Sequence, residues 1–246
     1  MKKAFTLVEL VFVVVVIGIL AFALWPTKQP TQALEAARQI VAHIRYTQHL
    51  ALNDDKFATH TYGTGDSIAK DWYKRLWRIT FSNTEAVRGC KSGGWRYAVY
   101  QNIANDLSDK GQPNGANEAA RNPAQAGKVL SACYSGLSTN TSDELNLWQT
   151  YKIENIDFSE FAGRGIQGII FDELGRAYPR GEWTTPYDNG RTFRFSEGDS
   201  SYGRIRLRAK DGSTASILVF GETGYACVEN VDLGCQAPTI PEAPAT

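Results

Sequence analysis

Charge vanishes from the chain between Leu10 and Trp25. Lys2 and Lys3 stand before an apolar run, Phe5 to Trp25, that holds a single ionised side chain, Glu9. The run is about the length of a membrane-spanning helix, which needs roughly 20 apolar residues. A different pattern begins after Pro30. Gln32 to Leu52 contains no Gly or Pro, and Leu34, Ala37, Val41 and Ile44 recur at steps of three and four, predicting a helix with one buried stripe. Pro26, Lys28 and Pro30 separate the two helices. Each proline removes a backbone donor and disfavours helix in the residue before it, so a kink or melted turn is expected there.

Strands dominate the remainder. Arg75 to Phe81 and Trp95 to Gln101 are rich in aromatic and β-branched residues. Gln101 to Asn146 is crowded with Asn, Asp, Gly, Ser and Pro and poor in apolar positions, which reads as a long loop or insertion. Gly168 to Asp172 is a short apolar strand that turns at Glu173-Leu174-Gly175, and Thr192 to Phe195 is another. Ile205, Leu207 and Ala209 alternate with Arg204, Arg206, Arg208 and Lys210, a period of two over a full strand. Asp211-Gly212 is expected to form a type I′ turn, and Thr214 to Phe220 returns as the partner strand. The class is therefore α+β: a long N-terminal hydrophobic helix leading toward an antiparallel β-sheet domain.

Glu9 is the chemically informative residue of the first run. A carboxylate inside a spanning helix costs about 2.5–3.5 kcal/mol even on lenient insertion scales, so it calls for a partner. Cleavage of the chain after Ala4 would supply one, the free α-amine of Phe5. That amine on one subunit would neutralise Glu9 of a neighbour and set the axial register of a stack of helices. An ordinary secretory signal fits less well, because its apolar core is about 7–15 residues and ends at a small-residue site. A plain membrane anchor fits the length and leaves Glu9 unexplained.

Lys2-Lys3-Ala4 followed by Phe5-Thr6-Leu7-Val8-Glu9-Leu10 resembles the class III leader of type IV prepilins and type II secretion pseudopilins. The resemblance implies cleavage between Ala4 and Phe5 by a prepilin peptidase, N-methylation of Phe5, and assembly through Phe5 and Glu9 into a helical filament. Its partners would be other pilin or pseudopilin subunits, the peptidase, the inner-membrane assembly platform and membrane lipid. The family usually carries Gly before the cut; here the small residue Ala4 stands there. The helix Ala33 to Leu52, the F-x-x-x-G turn Phe171 to Gly175 and the closing strand pair with Thr223-Gly224 resemble the GspH/FimT type of minor pseudopilin.

The expected organisation is a leader at 1–4, a transmembrane and filament-core helix at 5–25, and a kink with a second amphipathic helix at 26–56. A periplasmic β-rich domain at 57–246 would carry the insertion at about 101–146. Positive charge before the apolar run and a long polar domain after it place the leader in the cytoplasm. A single-pass protein of the bacterial inner membrane, with its domain in the periplasm, follows.

Composition narrows the function. The full chain carries 26 basic and 26 acidic side chains, and losing Lys2 and Lys3 with the leader leaves a small acidic excess. Such a balance argues against binding nucleic acid through bulk charge. Four cysteines, Cys90, Cys133, Cys227 and Cys235, suit a compartment that permits disulfides. Cys227 and Cys235 flank a short polar loop and are the expected pair, which leaves Cys90 with Cys133; four cysteines admit three connectivities on sequence alone. Zinc-ligand spacing is absent.

No catalytic constellation stands out, so the chain reads as a structural protein, not an enzyme, with no cofactor and no metal. His43 and His49 are six apart and face different ways, and His60 stands nearby. Gly163 to Gly168 matches G-x-G-x-x-G but precedes a strand instead of following one, so it reads as a loop. Asp106, Asp109 and Asn114 do not have calcium-loop spacing. The row Arg204, Arg206, Arg208 and Lys210 projects from one strand face and could track a phosphate backbone. FimT-like minor pilins occur in DNA-uptake machines, so the alternative function is that of a DNA-binding minor pilin. The bland reading of the row is a solvated face that guards against aggregation.

Overall fold

The computed structural model describes residues 6–23, 31–54, 75–83, 93–102, 112–113, 115–132, 140–159, 161, 167–179 and 202–237. The chain divides into two compact units, Met1–Thr31 and Gln32–Thr246.

The first unit contains one helix, α1, Leu7–Ala23. Its large apolar side chains from Leu7 to Leu20 are exposed, from 38% at Val16 to 78% at Leu7. At 17 residues it spans about 25 Å, short of the roughly 30 Å hydrocarbon core. Among the described residues no helix is long and apolar enough to cross a membrane. The helix expected over 5–25 is thus shorter in what is described. Its start is set by Thr6, whose side chain takes the N-cap role. Residues 24–30, with Pro26, Pro30 and the expected kink, lie outside the described residues.

The second unit is built around helix α2, Gln32–Leu52. Its buried side chains are Ala33, Ala36, Ala37, Ile40, Val41, Ile44, Thr47 and Ala51. Ala33, Ala37, Ile40, Ile44, Thr47 and Ala51 alternate steps of four and three, which keeps one stripe against the core. Leu34, expected on that stripe, is half-buried at its margin. Small residues dominate the first two turns, and this lets the sheet backbones approach the helix closely.

Two four-stranded antiparallel sheets pack on α2, where sequence suggested one. The first has the order β2-β1-β4-β5, with β1 Arg78–Ser82, β2 Arg96–Tyr100, β4 Gly168–Phe171 and β5 Ala177–Pro179. The second has the order β3-β6-β7-β8, with β3 Ile153–Asp157, β6 Tyr202–Ala209, β7 Thr214–Phe220 and β8 Ala226–Val228. Ile79, Phe81, Tyr97, Val99, Ile169 and Phe171 from one sheet meet Ile205, Leu207, Ile217 and Val219 from the other in a single core with the helix. The helix is the shared element, so the α+β class holds.

The segment 101–146 is not a simple loop. Its described parts line the free edge of β2, through bridges Tyr100↔Ala119, Ala98↔Ser131 and Arg96↔Asn146. Val99 N–H donates to Leu130 O at 2.8 Å, and Ala120 N–H donates to Val99 O at 2.9 Å. Among its described residues, Ala120, Leu130 and Leu145 join the core, while Ala119 and Val129 form a small cluster of their own. Composition hid this because the pairing is made by backbone groups. A 3-10 turn, Asp143–Leu145, and a short helix α3, Leu147–Tyr151, then lead into β3.

The β6–β7 hairpin forms as expected, but its register, from Tyr202↔Phe220 to Arg208↔Thr214, is one residue off the pairing that a two-residue Asp211-Gly212 turn would set. Its turn is different from the expected type I′. Gly212 N–H donates to Ala209 O and Ala209 N–H to Ser213 O, both at 3.0 Å. Gly212 has φ +80°, whereas Asp211 does not have positive φ. This is a three-residue loop, Lys210-Asp211-Gly212, closed by a glycine bulge: Lys210 and Asp211 fill the two right-handed central positions of a type I turn and Gly212 the left-handed bulge position. The turn also caps α2: Ala33 N–H donates to Ser213 Oγ at 3.2 Å, and Ser213 Oγ donates to Asp211 Oδ1 at 2.6 Å. The expected strand Thr192 to Phe195 lies outside the described residues.

The two sheets are tied together at the far end of α2. Gln48 Nε2 donates to Gly175 O at 2.8 Å and to Thr223 O at 2.6 Å. Ala177 N–H of β5 donates to Gly221 O, just past β7, at 2.8 Å. Gly175 and Gly224 both have positive φ, +77° and +64°. A Cβ on Gly224 would lie 2.0 Å from Gly175 O, so only glycine permits the approach.

Candidate functional site

The segment Thr6-Leu7-Val8-Glu9 has the T-x-x-E spacing of a capping box. Thr6 Oγ accepts the Glu9 N–H at 3.3 Å. Glu9 Oε2 accepts the Thr6 backbone N–H at 3.0 Å and the Thr6 hydroxyl at 2.9 Å. The first turn of a helix leaves four N–H groups without intrahelical partners. Here the two side chains satisfy one another's backbone donors, and the carboxylate sits at the positive end of the helix dipole. Sequence reading treated Glu9 as a charge awaiting an outside partner and overlooked Thr6; the spacing was the available signal. Glu9 therefore does two things that are compatible: it closes the first turn, and it keeps one carboxylate oxygen, Oε1, beyond these bonds. Ala4 and Phe5, the expected cleavage and methylation residues, lie outside the described residues.

The remaining expected sites fall elsewhere in the second unit. Cys227 and Cys235 form a disulfide with Cα atoms 6.0 Å apart, as expected from the short loop between them. With Leu218 they make a small apolar cluster flanked by Tyr202 and Phe220. Cys90 and Cys133 lie outside the described residues, as do Asp106, Asp109, Asn114 and His60. Of the glycine-rich stretch 163–168, Gln167 and Gly168 are described. Gly168 faces β1 so closely that a Cβ would meet Ile79 O at 2.7 Å, a packing reason for that glycine.

His49 is exposed, while His43 is half-buried with Nδ1 2.6 Å from the Tyr97 hydroxyl. Burial pushes the His43 imidazole below its ordinary value of 6.5, against the opposing pull of the Glu144 charge. Burial likewise drives the Tyr97 phenol far above its usual range, although its hydrogen bond from Gln39 acts in the other direction.

On the face of β6 opposite Ile205, Leu207 and Ala209, Arg206 and Arg208 are exposed while Arg204 is largely covered. Among the described residues, two of the basic row's four charges form ion pairs. Arg204 pairs with Glu229 at 2.8 Å and Arg206 with Asp157 at 3.4 Å. Arg208 and Lys210 are exposed. Neutralising half of the row weakens its field, because each paired cation no longer contributes a counterion-releasing contact.

The F-x-x-x-G turn holds a fully buried carboxylate, Asp172. It accepts Leu174 N–H at 3.0 Å, Arg176 N–H at 2.8 Å and Arg176 Nε at 2.7 Å, together with the Tyr178 hydroxyl. Four donors on one carboxylate make this turn a rigid structural knot. Sequence reading passed over Asp172.

Residues 1–25 match the prokaryotic N-terminal methylation motif. No curated protein and no solved structure matches the chain. The matched stretch covers the basic residues, Ala4-Phe5, the capping pair and α1, so the site and the motif are the same piece of chain. That motif marks a structural, pilin-like subunit that is anchored in a membrane or incorporated in a filament. The chain carries the class III leader of type IV prepilin-like proteins.

Proposed function

We propose that this protein is a minor pilin or pseudopilin, a structural subunit of a type II secretion pseudopilus or a type IV pilus. A prepilin peptidase cuts between Ala4 and Phe5 and methylates the new Phe5 amine. The apolar run 5–25 then anchors the subunit in the inner membrane, with the second unit in the periplasm. Assembly moves α1 from lipid into the filament core, where neighbouring helices cover the side chains now exposed. The Phe5 amine of one subunit meets Glu9 of the next and fixes their axial offset.

The observation that carries this reading is the methylation motif at residues 1–25, joined to a helix whose large apolar side chains from Leu7 to Leu20 are exposed. Glycines at the closing turns and a helix-centred α+β domain support the GspH/FimT subtype. Intact-mass and N-terminal peptide mass spectrometry of the membrane-extracted protein tests it. A chain that begins at N-methyl-Phe5 is the expected result; one that retains Lys2 and Lys3 in a host with an active prepilin peptidase would overturn it.

DNA contact through the β6 row is the second reading. Its support is the shared face of Arg204, Arg206, Arg208 and Lys210, and against it stand the two ion pairs. A shift of labelled DNA by the full chain, lost in an Arg206→Ala/Arg208→Ala/Lys210→Ala variant, would favour it.

A further inference from the structure

The junction between α2 and the segment 115–146 is polar, and its hydrogen bonds run in one direction. Gln39 on α2 sends its side-chain N–H to the Tyr97 oxygen at 2.7 Å and to the Glu144 carbonyl at 2.9 Å. Its amide oxygen accepts the Tyr151 hydroxyl of α3. The Tyr97 oxygen already accepts from Gln39, so its single proton is available for His43 Nδ1 at 2.6 Å. When Tyr97 donates that proton, the imidazole is neutral and carries its own proton on Nε2. Glu144 carries the path onward, accepting Asn122 Nδ2 at 2.7 Å on one oxygen and Gln125 Nε2 at 2.6 Å on the other. Tyr97 is 2% exposed and Asn122 5%, so water cannot readily replace these partners.

We propose that His43 is a proton-operated latch: taking a proton at Nδ1 strands the buried Tyr97 hydroxyl and releases the segment 115–132 from α2 and β2 in acidic surroundings. A protonated Nδ1 is a donor, so two donors would then face each other. Tyr97 could turn and accept from His43, but its own proton would be left without an acceptor in a closed space, which is costly.

The titratable groups around His43 are Tyr97 from β2, Glu144 from the 3-10 turn and Tyr151 from α3. Glu35, on α2 itself, acts on Tyr151. Glu144 alone among them carries a charge that favours His43 protonation, and burial outweighs it. Docking is therefore at full strength above the ordinary histidine value of 6.5 and weakens as pH falls through the lowered value of the docked state. The device matters most where the surrounding pH follows the medium, as in the periplasmic placement proposed above. Its test below does not depend on that placement.

Hydrogen exchange of the full chain in detergent micelles, corrected for intrinsic rates, would be read at pH 7.5 and pH 5.0. The amides of Val99, Gln101 and Ala120, which bond between the β2 edge and the segment, are expected to lose protection by about tenfold at the lower pH. The β6–β7 hairpin amides should hold theirs. His43→Asn keeps an acceptor near the Nδ1 position and cannot take a proton, and Tyr97→Phe has no hydroxyl to strand. His43→Asn should remove the pH response, and Tyr97→Phe should reduce it. Unchanged protection in the wild type, an equal loss in both variants, or a loss that spreads to β6–β7 would overturn the proposal.

Discussion

Replacing Gly224 by alanine should be far more damaging than the same change at Gly212, although both glycines are left-handed. Gly212 has φ +80° with nothing within 4 Å of a new Cβ. Its alanine variant bears only the left-handed backbone cost, about 1–2 kcal/mol. Gly224, at φ +64°, bears the same cost and places the Cβ 2.0 Å from Gly175 O and 2.4 Å from Gln48 Nε2. The Gln48 amide must leave, and its bonds to Gly175 O and Thr223 O go with it. At about 1 kcal/mol for each bond, the total reaches about 3–4 kcal/mol before the backbone itself shifts. Urea unfolding of the full chain in detergent, followed by tryptophan fluorescence, would measure both variants. A Gly224→Ala loss at least about 2 kcal/mol beyond that of Gly212→Ala is expected from these terms. Equal losses would refute the claim that this close approach ties the two sheets to α2.

Other outcomes follow from the same contacts. Asp172→Ala should cost about 2–4 kcal/mol, because it leaves the buried Tyr178 hydroxyl, two part-buried backbone N–H groups and the Arg176 guanidinium without this acceptor; chemical denaturation checks it, and a loss under about 1 kcal/mol would count against the knot, as ~1 kcal/mol is the scale of one ordinary bond. Removing the Cys227–Cys235 bridge by paired serine substitution should lower stability by about 2–3 kcal/mol for so short a loop. Asn146 caps α3 by accepting Gln149 N–H at 3.0 Å, so Asn146→Ala should cost about 1 kcal/mol. Lys152 ends that helix at φ 54°, and Lys152→Gly should be neutral or stabilising by up to about 1 kcal/mol. Glu9→Ala should insert and be cleaved, yet enter filaments poorly in a sheared-filament immunoblot; normal incorporation would sink the pairing with Phe5.

Asp211 gives a pH expectation. The hydroxyl and backbone N–H of Ser213 hold its carboxyl below the ordinary 3.8, while burial pulls weakly the other way. A carboxyl lowered on folding contributes stability above its unfolded value and loses it as pH falls through the folded value. The contact between the hairpin turn and α2 should therefore loosen only below about pH 4, well under the range in which His43 acts. Thermal scans of wild type and Asp211→Asn should converge there and differ above it.

Much of this protein was legible along the chain because the relevant physics is local. Residues 32–52 are helical with no breaker inside, and the alternation from Ile205 to Lys210 carries its period of two into the fold unchanged. The two cysteines eight residues apart could reach one another whatever surrounded them. The leader is legible for a related reason: a peptidase and a membrane read consecutive residues, so Lys2 to Leu10 state their chemistry without help from the rest of the molecule.

What depended on tertiary structure were relations between residues far apart in number. Nothing near Gln101 to Asn146 announces that its backbone completes the edge of β2, since carbonyl and amide groups are the same in every residue. Gln48, Gly175 and Thr223 acquire their meaning from one another across 127 and 175 residues of chain. The row on β6 looked like four free cations until β3 and the segment after β8 brought Asp157 and Glu229 beside two of them. Periodicity along the chain tells which face of a strand or helix is buried. Which groups meet across that burial is set by three-dimensional packing, where pairing energies between distant residues select one arrangement from the many that the same local pattern allows.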